Sequence, residues 1–321
     1  MKWKKEYVVL FGIIAVLLIY LVFSGGKNKM SYEVPKIQKI EKDELNKIEI
    51  LKEGKTITLA GQGDSWKILP QEFPADKDKV NQMLEVIEDL TLTELAAEKK
   101  GYSRYELDEE KKILVKAYKS EELKREFDVG KTSSTYSHTF VKLGDDSRVY
   151  HARGSFRSKF DLNTDELREK LVMKFDKNEI TEVGVTGYEE DLRFTKKMKL
   201  VETKVEDKTE LETEPEPKQE ESWVNQDEKE GNKSEIQSVL SELSNLKCDQ
   251  YIEEQTKEDF SGPIYTVALK GIKDYLLQIF EKDEEEGKYP AISSENQYLF
   301  FLSSITAENI MKKPEDLTKA E

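Results

Sequence analysis

The chain has 321 residues, with 51 lysines and arginines against 66 aspartates and glutamates, which gives a formal net charge of −15. This balance argues against nucleic-acid binding, which depends on clustered lysine and arginine that neutralise phosphates. Cys248 is the only cysteine, so an intramolecular disulfide and a zinc site built from several cysteines are excluded.

The first predicted element is a membrane-spanning helix at residues 7–23, YVVLFGIIAVLLIYLVF, which contain no charged side chain. At about 1.5 Å per residue this helix reaches ~25 Å, near the lower limit for crossing a bilayer. More lysines precede the run than follow it, which favours a cytoplasmic N-terminus. The alternatives are a cleaved signal peptide ending near Ser24 and a buried helix of a soluble protein. The anchor and the signal peptide would both export the chain.

No second apolar run reaches spanning length, so we expect a single-pass protein of the inner or plasma membrane with its bulk outside the cytoplasm, in the periplasm where a cell has one. In chain order the predicted segments are a cytoplasmic tail at 1–6, the anchor at 7–23, a stalk at 24–42, a first domain at 43–175 and a second domain at 176–321.

The two predicted domains have the pattern of diverged copies of one unit. Each begins with two short alternating runs that predict a β-hairpin, residues 48–50 with 57–59 and residues 183–185 with 192–194. A tryptophan follows each hairpin, Trp66 and Trp223. We expect these rings to pack in the core, and a sugar-stacking platform is the alternative.

An amphipathic helix follows each tryptophan, at residues 80–90 and 236–246. Its apolar residues recur at i, i+3, i+4 and i+7, which places them on one helix face that can pack against a sheet. The two faces match position for position, with Val80, Met83, Leu84, Ile87 and Leu90 in the first helix and Ile236, Val239, Leu240, Leu243 and Leu246 in the second.

Further strand-like runs and a short closing helix complete each copy. The closing helices are predicted in FDLNTDEL from Phe160, with Thr164 as N-cap, and in IMKKPEDL from Ile310, with Pro314 in the first turn. Consecutive strands without long intervening helices indicate antiparallel sheets. The predicted fold class is therefore α+β, with each copy an antiparallel sheet packed on an amphipathic helix.

The second copy contains an insertion at about residues 196–231. Its centre, EDKTELETEPEPKQEE, is acidic, contains two prolines and lacks aromatic residues. Such a composition cannot bury enough apolar surface to offset the entropy of ordering. We expect a disordered segment or a mobile loop here.

Several motifs suggest chemistry but fail on their context. Val129–Thr132 resembles the end of a phosphate-binding loop, but Arg125 stands where its first glycine belongs and no helix follows. We interpret it as a turn between strands. His138 and His151 lie in no nucleophile elbow and in no helical histidine pair. Asp283–Glu286 is expected to be a solvated turn. The sequence indicates no catalytic, metal-binding or cofactor-binding residues.

Short motifs in the first copy resemble the bacterial domain-of-unknown-function family 4340 (DUF4340). They are Trp66-Lys67-Ile68, Pro74-Ala75-Asp76 at a helix start, Tyr105-Glu106-Leu107-Asp108, Val129-Gly130-Lys131 and Val149-Tyr150. Glu106 replaces the glycine that is usual in the family. The resemblance spans about residues 44–171 and reaches the second copy only through the repeat.

This resemblance implies an exported single-pass protein, often encoded beside an ABC-type transport system related to gliding-motility components, with no established catalytic residues. The leading hypothesis is a non-enzymatic accessory or scaffold subunit of a membrane transport system, without a cofactor and with ABC-type transport subunits as partners. The first alternative is a binding module for an envelope glycan or peptide between the copies. The less favoured alternative is an unrecognised hydrolase that uses His138 or His151.

Overall fold

The computed structural model describes residues 13–19, 33–63, 65–99, 101–201, 218–253 and 255–319. Residues 13–19 are helical and exposed, and the rest of the predicted anchor lies outside the described residues. Within the described ranges, no helix is both long and apolar enough to cross a membrane. The chain divides into two compact units, Met1–Thr164 and Asp165–Glu321.

The first unit is built on a nine-stranded antiparallel sheet. Its strands are β1 Lys47–Lys52, β2 Lys55–Gln62, β3 Ser65–Leu69, β4 Phe73–Pro74, β5 Leu92–Ala97, β6 Ile113–Lys119, β7 Glu122–Thr132, β8 His138–Leu143 and β9 Val149–Arg153. Their spatial order is β4-β3-β2-β1-β6-β7-β8-β9-β5.

The second unit has an eight-stranded sheet of the same topology. The strands of the second unit, in this sheet and outside it, are in chain order β10 Leu171–Lys174, β11 Glu182–Gly187, β12 Glu190–Val201, β13 Lys218–Asn225, β14 Asn245–Lys247, β15 Gln250–Ile252, β16 Tyr265–Lys270, β17 Tyr275–Ile279, β18 Tyr289–Ser293 and β19 Leu299–Leu302. The sheet order is β13-β12-β11-β16-β17-β18-β19-β15, and β10 pairs separately with β14. Strand for strand this is the order of the first sheet from β3 to β5. The predicted α+β class with antiparallel sheets is confirmed.

Both predicted hairpins form. In the first, Ile48 pairs with Leu59 and Ile50 with Ile57. In the second, Val183 pairs with Phe194 and Val185 with Leu192. Side chains alternate between the two faces of a strand, so this register places the apolar partners on the inner face. Trp66 and Trp223, which follow the two hairpins in the sequence, are both buried, as expected.

One amphipathic helix packs in each unit, α1 at Lys77–Glu88 and α4 at Lys233–Leu243. The four matched apolar positions within each helix are buried: Val80, Met83, Leu84 and Ile87, and Ile236, Val239, Leu240 and Leu243. The helices end earlier than predicted, because Leu90 follows α1 and Leu246 lies in β14. Both leucines are nevertheless buried. Apolar spacing alone does not distinguish a last helical position from a buried strand position.

Short helices follow the last strand of each sheet, α2 at Arg157–Phe160 and α3 at Thr164–Leu167, then α5 at Ser304–Ile310 and α6 at Pro314–Leu317. Pro314 begins its helix as predicted, whereas Thr164 is the first helical residue and not the N-cap.

The division between the units falls within α3 and not at the predicted boundary of 175 and 176. The reason lies in β10, which pairs with β14 of the second unit. The apolar run Leu171–Lys174 carries no sequence signal for its pairing partner, so composition alone assigns it to the preceding domain.

The insertion predicted to be disordered at 196–231 is largely strand where it is described. β12 and β13 pair from Lys196 with Trp223 to Val201 with Lys218. The chain then turns, and the Gly231 N–H donates to the Trp223 carbonyl. The centre of the insertion, residues 202–217, lies outside the described residues. Hydrogen bonds between the two backbones hold β12 and β13 together, and amino-acid composition does not reveal such pairing.

The two helix N-termini differ in their capping. An Asp76 carboxylate oxygen accepts hydrogen bonds from the N–H groups of Asp78 and Lys79 at 3.0 and 3.1 Å. Asn232 holds the equivalent place before α4, without a side-chain cap hydrogen bond. Asp76→Ala should therefore lower the free energy of unfolding by about 1 kcal/mol in urea denaturation. Asn232→Ala is the matched control and should lower it much less. Equal losses in the two variants would contradict this account.

Candidate functional site

The loop between β5 and β6 crosses the outer face of the first sheet. Tyr102–Tyr105 forms a 3-10 helix that ends at Glu106, whose φ of 55° and ψ of 41° are left-handed. The Tyr105 ring lies 4.8 Å from the Phe140 ring, and Leu107 is buried. The left-handed conformation at Glu106 explains why glycine suits this position.

Gly130 lies directly beneath that loop. A Cβ at Gly130 would lie 2.3 Å from the Tyr105 carbonyl oxygen and 2.9 Å from Leu107 Cγ. The interpretation of Val129–Thr132 as a turn is wrong, because these residues belong to β7, with an irregular register opposite β8. The glycine of the apparent phosphate loop serves a close packing contact between the loop and the sheet.

Substitutions at these two positions should change stability in opposite directions. Gly130→Ala should lower the free energy of unfolding by roughly 1–3 kcal/mol, because the added methyl group overlaps the loop. Glu106→Gly should raise it by up to about 1 kcal/mol, because a left-handed backbone is costly for a residue with a Cβ. Thermal and urea denaturation measure both, with Lys131→Ala as a control of small effect. Stabilisation by Gly130→Ala would refute the packing argument.

His138 and His151 lie side by side on β8 and β9, with ring centroids 5.5 Å apart in an edge-to-face arrangement. The His151 ring also lies 4.6 Å from the Phe140 ring. Burial and then His138 lower the pKa of His151, and Glu94 opposes them. Among the described residues, His151 Nδ1 is buried without a hydrogen-bond partner, and no three histidine, cysteine or acidic side chains form a metal-binding group. The pair packs as aromatic rings on the sheet.

The His151 imidazole should make stability depend on pH. Its folded pKa lies below the ordinary value of 6.5, so the unfolded chain takes up the proton more readily. The associated stability should be complete above about pH 7 and decline as the pH falls from 6.5 through the folded pKa. His151→Phe keeps the ring packing and should flatten this decline in urea denaturation between pH 8 and 5. An NMR titration midpoint above 6.5 for His151 would contradict the assignment.

A cavity of about 460 Å³ opens in the first unit between residues 37–44 and the strands β7 and β8. Its apolar lining consists of Ile37, Ile40, Leu90 and Leu143. The Arg125 side chain also lines it, although only 7% of that residue is exposed. Lysine and glutamate side chains also line the cavity, namely Lys39, Lys124, Glu41, Glu44 and Glu126. Apolar walls with a few polar groups are the usual composition of a small-molecule pocket.

The Arg125 guanidinium donates hydrogen bonds to the carbonyls of Ile87 and Glu88 at the end of α1, and to the Gln38 carbonyl. The partners that the structure describes for it are thus backbone oxygens. Burial lowers the pKa of Arg125, and the Asp89 charge opposes this. The C-terminus of a helix carries roughly half a negative charge, so the guanidinium is only partly neutralised.

The second unit fills the equivalent place with aromatic rings. Tyr275 is equivalent to Arg125, because it pairs with Leu269 as Arg125 pairs with Ala117. Phe175 is equivalent to Ile40, because each lies two residues before a 3-10 helix, Lys177–Glu179 and Lys42–Glu44 respectively. The Phe175 and Tyr275 rings lie 4.9 Å apart. The sequence analysis does not identify Arg125 as a binding residue. The signal that identifies it is a charged residue at an inward position of the alternation Leu123, Arg125, Phe127, Val129.

The other positions singled out in the sequence are structural. Cys248 is buried, and burial raises the pKa of its thiol to about 11. The Asp283 carboxylate accepts hydrogen bonds from the N–H groups of Glu285 and Glu286, which confirms the turn. None of these lies in the lining of the Arg125 cavity.

The family described as Domain of unknown function (DUF4340) matches residues 68–262. The chain belongs to this family. The match confirms the resemblance seen in the first copy and extends it into the second unit. Searches of curated proteins and of solved structures gave no match.

In this DUF4340 chain the motif residues hold the fold. Trp66 is buried, Asp76 caps α1 and Gly130 admits the crossing loop. The Tyr150 hydroxyl donates to Asp146 at 2.8 Å. Hydrogen bonding to Arg148, the largest influence, lowers the pKa of Asp146 to about 2. The motifs therefore mark structural positions distributed over the first unit.

Proposed function

We propose that this protein is a non-enzymatic accessory or scaffold subunit of a membrane transport system, anchored by residues 7–23, with two domains derived from one duplicated unit. The observation that carries the proposal is the use of the family motifs. Residues that define an enzyme family converge on a reaction site, whereas here Trp66, Asp76, Gly130 and Tyr150 each serve a separate packing, capping or hydrogen-bonding role.

Further observations support the anchor and the duplication. The uncharged run at 7–23 has the composition of a spanning helix. The shared strand order and matched helix faces support descent of both units from one unit. The expectation of a transport partner comes from the family resemblance.

Crosslinking in intact membranes tests the partner. The full-length chain with a C-terminal affinity tag should recover integral transport subunits after crosslinking and gentle solubilisation. Val16→Lys is the matched control, because a charge at the centre of a spanning helix opposes insertion, and it should lose both membrane retention and the partner. Recovery of no membrane protein by the parent chain would refute the accessory role.

Protease treatment of intact spheroplasts tests the orientation. The domains after the anchor should be digested while a cytoplasmic marker survives, because the lysine bias favours a cytoplasmic N-terminus. Survival of the domains until the spheroplasts are lysed would place them inside the cell.

The alternative, a binding module for an envelope glycan or peptide, draws its support from the Arg125 cavity, which has the size of a ligand site.

A further inference from the structure

The Arg125 guanidinium is a buried cation whose described partners are carbonyl oxygens. Burying a charge without a counterion is unfavourable unless an opposite charge and hydrogen bonds compensate it. A guanidinium has five N–H donors, and the three described hydrogen bonds leave two of them for another acceptor. A planar donor edge of this kind matches the two oxygens of a carboxylate.

The carboxylates at the rim are engaged elsewhere. Glu88 pairs with Lys39 at 3.2 Å, Glu44 with Lys119 at 3.1 Å, and Glu126 with Lys116 at 3.6 Å. Glu41 also faces the charge of Lys39. These lysine pairs offset the charge of the rim glutamates. The Asp89 carboxylate also acts on Arg125 through its charge, but the described hydrogen bonds of the guanidinium go to backbone carbonyls.

We propose that this cavity binds a small apolar carboxylate. The carboxylate accepts hydrogen bonds from Arg125, and the hydrocarbon part lies against Ile37, Ile40, Leu90 and Leu143, the apolar residues of the lining. The volume of about 460 Å³ is within the range of small-molecule sites. This inference does not depend on the transport partner.

The second unit provides an internal comparison. There Phe175 and Tyr275 occupy the places of Ile40 and Arg125, and their rings pack together at 4.9 Å. The Phe175 N–H donates to the Ser244 carbonyl at the end of α4. A carbonyl at the equivalent helix end thus has a backbone N–H as its hydrogen-bond partner in place of a buried cation, so the fold itself does not require the arginine. The difference marks the first unit as the one that binds a ligand.

Hexanoate is the probe, titrated by calorimetry into the full chain in lipid nanodiscs, with empty nanodiscs as blank. We expect saturable binding of one hexanoate per chain. Hexylammonium should not bind, because its charge is repelled. Acetate should bind at least about tenfold more weakly, because it lacks the methylene groups that the apolar walls bury.

Three variants locate the binding. Arg125→Lys keeps the charge but loses the planar donor edge, and should weaken hexanoate at least about tenfold. Ile40→Phe with Arg125→Tyr copies the second unit and should abolish binding while the chain stays folded by circular dichroism. Arg153→Lys, an exposed arginine at the end of β9, is the matched control and should bind as the parent does.

Equal binding of hexanoate and hexylammonium, no saturable binding by the parent chain, or parent-like binding by both Arg125 variants would overturn the proposal. Where the Arg125 variants fail to fold, Ile40→Trp decides, because it fills the cavity and leaves the hydrogen-bonding groups of Arg125 in place. Parent-like binding by Ile40→Trp would equally overturn it. Partner capture from membranes is a separate readout, so failure of either proposal is recognised independently.

Discussion

Burial of one helix face against one sheet face is the constraint on which the rest of each unit depends. An antiparallel sheet with alternating side chains has one apolar face, and α1 or α4 contributes the apolar side chains that complete that core. Each fully buried aliphatic side chain contributes roughly 1.5–3 kcal/mol, as an upper bound. A slip of one residue would turn every inward side chain outward, so this burial fixes the register of both hairpins.

Within this core, the residues that depart from the alternating apolar pattern show where the first unit has special features. Gly130 leaves room for the loop at Tyr105 and Leu107. Arg125 places a charge where alternation expects an apolar residue, and the equivalent Tyr275 restores the apolar pattern in the second unit. The two units thus share a scaffold and differ at a register position that decides whether a cavity or a ring pair lies beside the helix end.

The periodic elements could be predicted from the sequence, because their apolar spacing reflects burial directly. The hairpin at Ile48 and Leu59 and the helix face from Val80 to Ile87 are of this kind. β5 is not predictable in this way, because Leu92–Ala97 shows no alternation and pairs with β9 through an irregular register. The extension of the β12–β13 pair beyond Lys196 and Trp223 is not predictable from composition, because cross-strand backbone hydrogen bonds hold Lys196–Val201 against Lys218–Trp223. The Arg125 cavity is not predictable from the sequence, because its lining joins residues 37–44 to β7 and β8, which are distant in sequence.

Native-state hydrogen exchange tests the central claim most directly, that each helix face completes the core of its own sheet. Ile87→Ala and Leu243→Ala remove equivalent side chains that are fully buried. Ile87→Ala should lower the protection of the β1 and β6 amides by about 2–5 kcal/mol, and Leu243→Ala should do the same for β11 and β16. Unchanged protection of these central strands in both variants would contradict the account.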